Sequence, residues 1–204
     1  IPAREPSNAP LVFYFGGNAE DVSVTSLEVS QQIDGNLVLM NYRGYGGSSG
    51  RPTEQGLYSD ALFIFDQIKP QFTRISIIGR SLGSGIATYV AANREVHKLV
   101  RITPLDSIFH VAQKRFLFYP AFLILKDHYD SFGRVHRISS KTLILVAEKD
   151  EVIPLINTIN LINAFPTSQV TVTTFENRGH NDISVDPRYS SQLRSFVLGS
   201  HDSG

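Results

Sequence analysis

The 204-residue sequence contains no cysteine, no tryptophan and a single methionine. Without cysteine there is no disulfide, no thiolate nucleophile and no cysteine-ligated metal site, although this does not decide the compartment. An excess of either charge is missing too. Nineteen Lys and Arg face nineteen Asp and Glu with no long block of one sign, so nothing steers the chain toward phosphate backbones or acidic lipid, and nucleic acid is not expected as a partner. No apolar run reaches the roughly 18 to 20 residues a spanning helix needs. The longest candidate, residues 116–125, is broken by Pro120, so no membrane span is expected in this segment. A cytoplasmic location is the expectation, beside an Ile1 start and Pro-containing stretch that fit a product trimmed of a leader or anchor. Repeats, low-complexity tracts and linkers are absent as well, which leaves one domain over 1–204, long enough for a single sizeable core.

What the sequence does contain is 42% hydrophobic and 19% charged residues, the balance of a packed chain. Short β-rich runs at 11–15, 36–41, 74–78, 98–102, 142–146 and 169–174 alternate with helically spaced segments at 21–33, 54–68, 82–93, 154–164 and 187–198. That alternation predicts an α/β fold, a mostly parallel sheet of about six strands with helices on both faces. The expected strand order is second, first, third, fourth, fifth, sixth, with ligands bound where the order reverses. One irregular stretch, at about 104–140, is expected to be a small cap-like segment. Its aromatic run includes Phe118 and Phe122, expected to wall a substrate's acyl chain; the alternative is that they only pack the core.

The run Arg74-Ile-Ser-Ile-Ile78 leads into Gly79-Arg-Ser-Leu-Gly83 and then into a helix-compatible segment. A G-x-S-x-G between strand and helix points to Ser81 as a nucleophile on a strained turn, with glycines where a side chain would collide. The helix N-terminus favours developing negative charge there. The first strand ends in Gly16-Gly-Asn-Ala19, a loop that can aim a backbone N–H at an oxyanion. The expected oxyanion donors are the N–H groups of Asn18 and Leu82.

Of six histidines, only His180 follows the last strand in a glycine-bearing loop and precedes a terminal helix. It is the expected general base, in the chain order Ser, acid, His. Two aspartates between Ser81 and His180 follow strands. Asp150 is the preferred acid, because Glu151-Val-Ile-Pro154 can hold its loop at the carboxyl end of the sheet. Asp106 is the rival, readable as the N-cap of a following helix. Glu148 and Glu151 beside Asp150 read as solvated loop charges.

Taken in order, Gly16-Gly-Asn-Ala19, Asn41-Tyr-Arg-Gly-Tyr-Gly-Gly-Ser-Ser-Gly50, Gly79-Arg-Ser-Leu-Gly83, Glu148-Lys-Asp-Glu-Val-Ile-Pro154 and Gly179-His-Asn181 resemble the BEM46-like branch of the α/β-hydrolase superfamily, over about residues 11–198. The resemblance implies an α/β-hydrolase fold and a serine hydrolase with no metal and no organic cofactor, acting on esters, thioesters or lipids. Two departures stand out. Gly16 occupies the position where the family usually has a histidine supporting the oxyanion loop. Only ten residues precede Leu11, whereas the superfamily usually places two further strands there, so the N-terminal strands are expected to be missing.

The expected activity is therefore cleavage of carboxylic ester or thioester bonds in a small-molecule acyl substrate, through an acyl-enzyme on Ser81 with His180 as base and Asp150 as orienting acid. The alternatives are a peptidase or amidase of the same superfamily, or a catalytically silent interaction module. Oligomeric state is not legible.

Overall fold

The computed structural model describes residues 10–33, 35–107 and 129–199. Phe118 and Phe122 lie outside them, as do residues 108–128 of the cap-like segment and the helix expected to begin at Asp106. Among the described residues six strands form one sheet: β1 Leu11–Phe15, β2 Asn36–Met40, β3 Ile75–Arg80, β4 Lys98–Ile102, β5 Lys141–Ala147 and β6 Val170–Phe175. All five pairings are parallel. The order is β2-β1-β3-β4-β5-β6, as expected from the sequence. The helices are α1 Val22–Gln32, α2 Glu54–Ile68, α3 Leu82–Asn93, α4 Leu155–Asn163 and α5 Arg188–Leu198, with short 3-10 turns at Lys69–Gln71, Phe132–Arg137 and Ile183–Val185.

Alternation along β1 divides the core. Leu11, Phe13 and Phe15 pack with Leu57, Ala61 and Phe65 of α2, Ile86 and Val90 of α3 and Leu161 of α4. Val12 and Tyr14 face the other way, with Val22 and Val29 of α1 and Tyr189, Leu193 and Val197 of α5. Both faces of a parallel sheet are thus covered, which is why its inner strands read as continuous apolar runs.

Local signals set the element ends. Asp21 caps α1, its Oδ1 accepting from the Ser23 N–H at 3.0 Å, and Thr53 caps α2 through the Gly56 N–H at 3.2 Å. Each such cap answers an N–H the first turn leaves without a partner. Between β4 and the 3-10 turn at Phe132–Arg137 the chain makes its long excursion. The ends of that excursion are tied: the Asp106 carbonyl accepts from the N–H groups of Ser131 (2.8 Å) and Phe132 (3.3 Å).

After β1 the chain moves outward to β2, then returns to β3 on β1's other side. The helices that follow β1 and β3 pack on opposite faces of the sheet, and the loops leaving these two strands bring Gly17 beside Ser81.

Candidate active site

Ser81 is the residue between β3 and α3, with φ 50° and ψ −115°. A non-glycine residue there costs about 1–3 kcal/mol and persists only where its surroundings hold it. Here the Ser81 N–H donates to the Ile102 carbonyl at 2.9 Å, and its own carbonyl accepts from Ser84 N (2.9 Å) and Ser84 Oγ (2.6 Å). Both glycines of the motif are sterically required. A Cβ on Gly79 would meet the Gly83 carbonyl and Ala87 Cβ, and one on Gly83 would overlap the carbonyl oxygens of Phe15 and Gly16. That second approach brings the start of α3 against the end of β1 and Gly16.

His180 is 5% exposed, carried by the loop between β6 and α5. Its Nε2 lies 2.9 Å from Ser81 Oγ, and its Nδ1 lies 2.8 and 3.0 Å from the two oxygens of Asp150. A carboxylate only accepts, so the Nδ1 carries the proton and Nε2 is left to accept from the Ser81 hydroxyl. Asp150 is itself fixed, its Oδ1 accepting from the N–H groups of Val152 (2.9 Å) and Ile153 (2.7 Å) at the entry to α4. Three residues separated by up to 99 positions are thus brought into one hydrogen-bonded chain. The arrangement can take a proton from a hydroxyl, hold it on an imidazole and balance the imidazolium with a fixed carboxylate.

Asp106 is drawn elsewhere. It is buried, and its carboxylate accepts from the Ser107 N–H and from both approaches of Asn157 Nδ2. A cavity of about 340 Å³ adjoins it, lined by Asp106, Phe132, Asn160, Asn163 and Ala164, and is separate from Ser81 and His180.

The sequence reading missed Glu148 and Glu151. Both are exposed, as solvated loop charges would be, but each also accepts a backbone N–H: Glu148 Oε2 from Asn177 at 2.8 Å and Glu151 Oε2 from His180 at 3.1 Å. Together with the bond from Lys149 N to the Arg178 carbonyl (2.8 Å), they tie the histidine loop to the acid loop.

Asn18 and Leu82 were expected to supply the oxyanion donors, and among the described residues neither N–H meets an acceptor. The Gly16 carbonyl accepts from Tyr42 Oη at 2.7 Å, and Asn18 Oδ1 accepts from Tyr45 Oη at 2.6 Å. The segment 41–50 therefore braces this loop through two tyrosines. Glu20 braces it from the other side, accepting from the Gly17 N–H at 2.6 Å and from Tyr14 Oη at 3.0 Å. Burial, with the Glu20 carboxylate beside it, pushes the Tyr14 phenol well above its ordinary range, so it stays a donor. Among the described residues no cluster of three or more His, Cys, Asp or Glu could hold a metal ion, and no helix is long and apolar enough to cross a membrane.

The chain is similar to other proteins in sequence and in shape. An uncharacterized protein of Mycobacterium tuberculosis is 32% identical over 191 residues, covering 89% of this chain and 66% of its own. The present chain thus spans about two thirds of that relative's length. The alpha/beta hydrolase domain-containing protein 17B of Homo sapiens is 30% identical over 206 residues, covering 93% of this chain and 67% of the relative. In shape, an acetyl xylan esterase from Paenibacillus sp. R4 superposes with a TM-score of 0.75 at 15% identity, over 97% of this chain and 77% of that one, a likeness of fold. Finally, the family model described as serine hydrolase (FSH1) matches residues 20–181, which take in the nucleophile turn, both aspartates and His180. By that match and the sequence relatives, the chain belongs to the FSH1 serine hydrolases, within the α/β-hydrolase superfamily.

Proposed function

We propose that this chain hydrolyses carboxylic ester or thioester bonds of small acyl substrates through an acyl-enzyme formed on Ser81. The observation that carries the reading is the continuous chain from Ser81 Oγ to His180 Nε2 (2.9 Å) and from His180 Nδ1 to Asp150 (2.8 Å). Ser81 Oγ attacks the acyl carbon while its proton passes to Nε2. The oxyanion that forms is stabilised by the N–H groups of Asn18 and Leu82, one such donor being worth about 3 kcal/mol. Collapse breaks the bond to the leaving oxygen or sulfur, which takes the proton from Nε2 and departs as alcohol or thiol. Water then gives a proton to Nε2 and attacks the acyl group, and the second collapse returns the proton to Ser81 as the carboxylic acid leaves.

Membership of a serine hydrolase family supports the reaction class, and the esterase-like fold is compatible with it. The resemblance of segment 41–50 and of the Asp150 loop to the BEM46-like branch supports an ester or thioester over a peptide. The cap-like segment at about 104–140, including Phe118 and Phe122, is assigned the acyl-chain contacts on its composition. The test is labelling by a fluorophosphonate probe, with peptide mapping of the modified residue, beside hydrolysis of p-nitrophenyl esters and acyl thioesters of graded chain length. Modification at Ser81 with ester or thioester turnover is expected. A probe that leaves Ser81 unmodified in folded protein would reject the reading, and turnover of amides alone would move it to the amidases.

A further inference from the structure

Arg80 immediately precedes Ser81, and its guanidinium touches the two other loops that carry reacting groups. Nη1 donates to Glu20 Oε2 at 3.2 Å, in the loop that holds Asn18. Nη2 donates to Asn181 Oδ1 at 3.2 Å, the residue after His180. Glu20 is almost enclosed, its side chain 7% exposed against 26% for Arg80. Four donors converge on it: Tyr14 Oη (3.0 Å) and Thr25 Oγ1 (3.1 Å) on Oε1, and Gly17 N (2.6 Å) and Arg80 on Oε2. An enclosed carboxylate is costly unless paired and hydrogen-bonded, and this one is both.

Two consequences for the oxyanion loop follow. The bond from the Gly17 N–H fixes the plane of the peptide just before the one that carries the Asn18 N–H. The space at Gly16 is also taken, since a Cβ there would lie 2.9 Å from Val22 Cγ1 and 3.0 Å from Glu20 Cδ. Glycine at that position makes room for the carboxylate, which supports the loop from within.

We infer that Glu20 and Arg80 are a positioning pair that holds the oxyanion loop in register with Ser81 and with the His180 loop. The inference rests on the acyl-transfer reading above. Neither side chain touches the reacting atoms; both act through the Asn18 N–H. An oxyanion donor helps only if it is already aimed when charge develops. A displacement of about 1 Å costs on the order of 10²-fold in rate. Because one guanidinium spans three loops, its loss frees each of them relative to the others.

A merely structural pair would lower the melting temperature and leave the kinetics of each folded molecule unchanged. The experiment therefore measures kcat and KM on p-nitrophenyl acetate, the rate of fluorophosphonate labelling, and thermal melts. The proteins compared are wild type, Glu20→Gln, Arg80→Met, Arg80→Lys, Asn181→Ala and the double variant Glu20→Gln/Arg80→Met. In Glu20→Gln and Arg80→Met, kcat and the labelling rate are expected to fall on the order of 10²-fold, with KM within roughly twofold. Arg80→Lys recovers part of this, since one ammonium can reach Glu20 but not Asn181 as well. The double variant should be no slower than the slower single one, as for residues acting as a unit. Asn181→Ala, at an exposed position, should turn over a few-fold more slowly with an unchanged melt, and it decides the matter if the Glu20 variants do not fold. Wild-type rates in folded Arg80→Lys and Asn181→Ala overturn the positioning pair alone. A wild type left unlabelled at Ser81 overturns the acyl-transfer reading and the pair with it.

Discussion

Asn157 on α4 donates its Nδ2 to both oxygens of Asp106, at 3.0 and 3.1 Å, and so occupies the carboxylate that follows β4. The carboxylate that follows β5, Asp150, is the one that meets the imidazole of His180. The two strand-end aspartates should therefore respond differently to the same change. Asp150→Asn is expected to lower kcat by about 10⁴-fold, because the imidazole loses the partner that fixes its tautomer. Asp106→Asn should keep turnover near normal and cost stability by about 1–3 kcal/mol, as one amide then faces another. Ester turnover and thermal melts of both variants check this, and an inactive, folded Asp106→Asn beside a normal Asp150→Asn would reverse the roles.

Ser81 sits at φ 50° with a side chain that the backbone there does not favour. Both Ser81→Ala and Ser81→Gly should abolish labelling and reduce turnover by about 10⁶-fold. They should differ in stability. Glycine relieves the strained dihedrals and alanine does not, so Ser81→Gly is expected to melt higher than Ser81→Ala, by about 1–2 kcal/mol. Equal melts would mean that the turn stores no strain.

Arg101 on β4 is fully buried, and its Nη2 donates to the Leu105 carbonyl at 2.9 Å while, among the described residues, Nε and Nη1 meet no acceptor. Burial pushes its guanidinium down to about 9, opposed by the field of Asp106. Below that pH both folded and unfolded chains carry the charge, and the cost of burying it is present in full. Above about 9 the folded chain sheds a proton that the unfolded chain keeps, so stability rises with pH there. Arg101→Met should therefore stabilise the protein near neutral pH, by about 1–4 kcal/mol. Its advantage over wild type should shrink as pH rises above about 9. Denaturant unfolding at pH 7 and pH 10 tests both statements, and a destabilised variant at pH 7 would contradict them.

Tyr45 donates to Asn18 Oδ1 at 2.6 Å at an exposed position. Tyr45→Phe removes only that bond, worth about 1 kcal/mol net, so a roughly fivefold lower kcat with an unchanged melt is expected. An unchanged kcat would mean that Asn18 is held without it.

Much of the fold was legible because its strongest elements carry unambiguous patterns. Strands Leu11–Phe15 and Lys98–Ile102 and helices Glu54–Ile68 and Leu82–Asn93 have the ends expected from sequence. The strands are bounded runs of apolar residues, and the helices start after Thr53 or the Ser81 turn, where the chemistry of the start is explicit. The edge strand Val170–Phe175 is displaced by one residue from expectation, its outer face being half-polar and its pattern weaker. Ser81, His180 and Asp150 meet in one hydrogen-bonded chain, because G-x-S-x-G and the order of strands together fix which loops meet. Glu148 and Glu151 were not legible: a loop glutamate that accepts from a backbone N–H 29 positions away has the same local sequence as one in water. Glu20 and Arg80 were hidden for the same reason, 60 positions apart with no periodicity between them. Gly16 read as the loss of a support, whereas in the folded chain the room it leaves is filled by a carboxylate.

The single carbonyl of Asp106, receiving two N–H groups, is a knot that closes the sheet side of the molecule before and after residues 108–128. On the sheet side of that knot the Ser81, Asp150 and His180 loops lean on one another. The described chain on either side of residues 108–128 meets at that point, so a change of sequence between them need not disturb the sheet. A chimera carrying a relative's insert between Ser107 and Tyr129 is expected to change which acyl chains are cleaved while Ser81 is labelled as before, and loss of labelling in a folded chimera would show that the two sides are not separable.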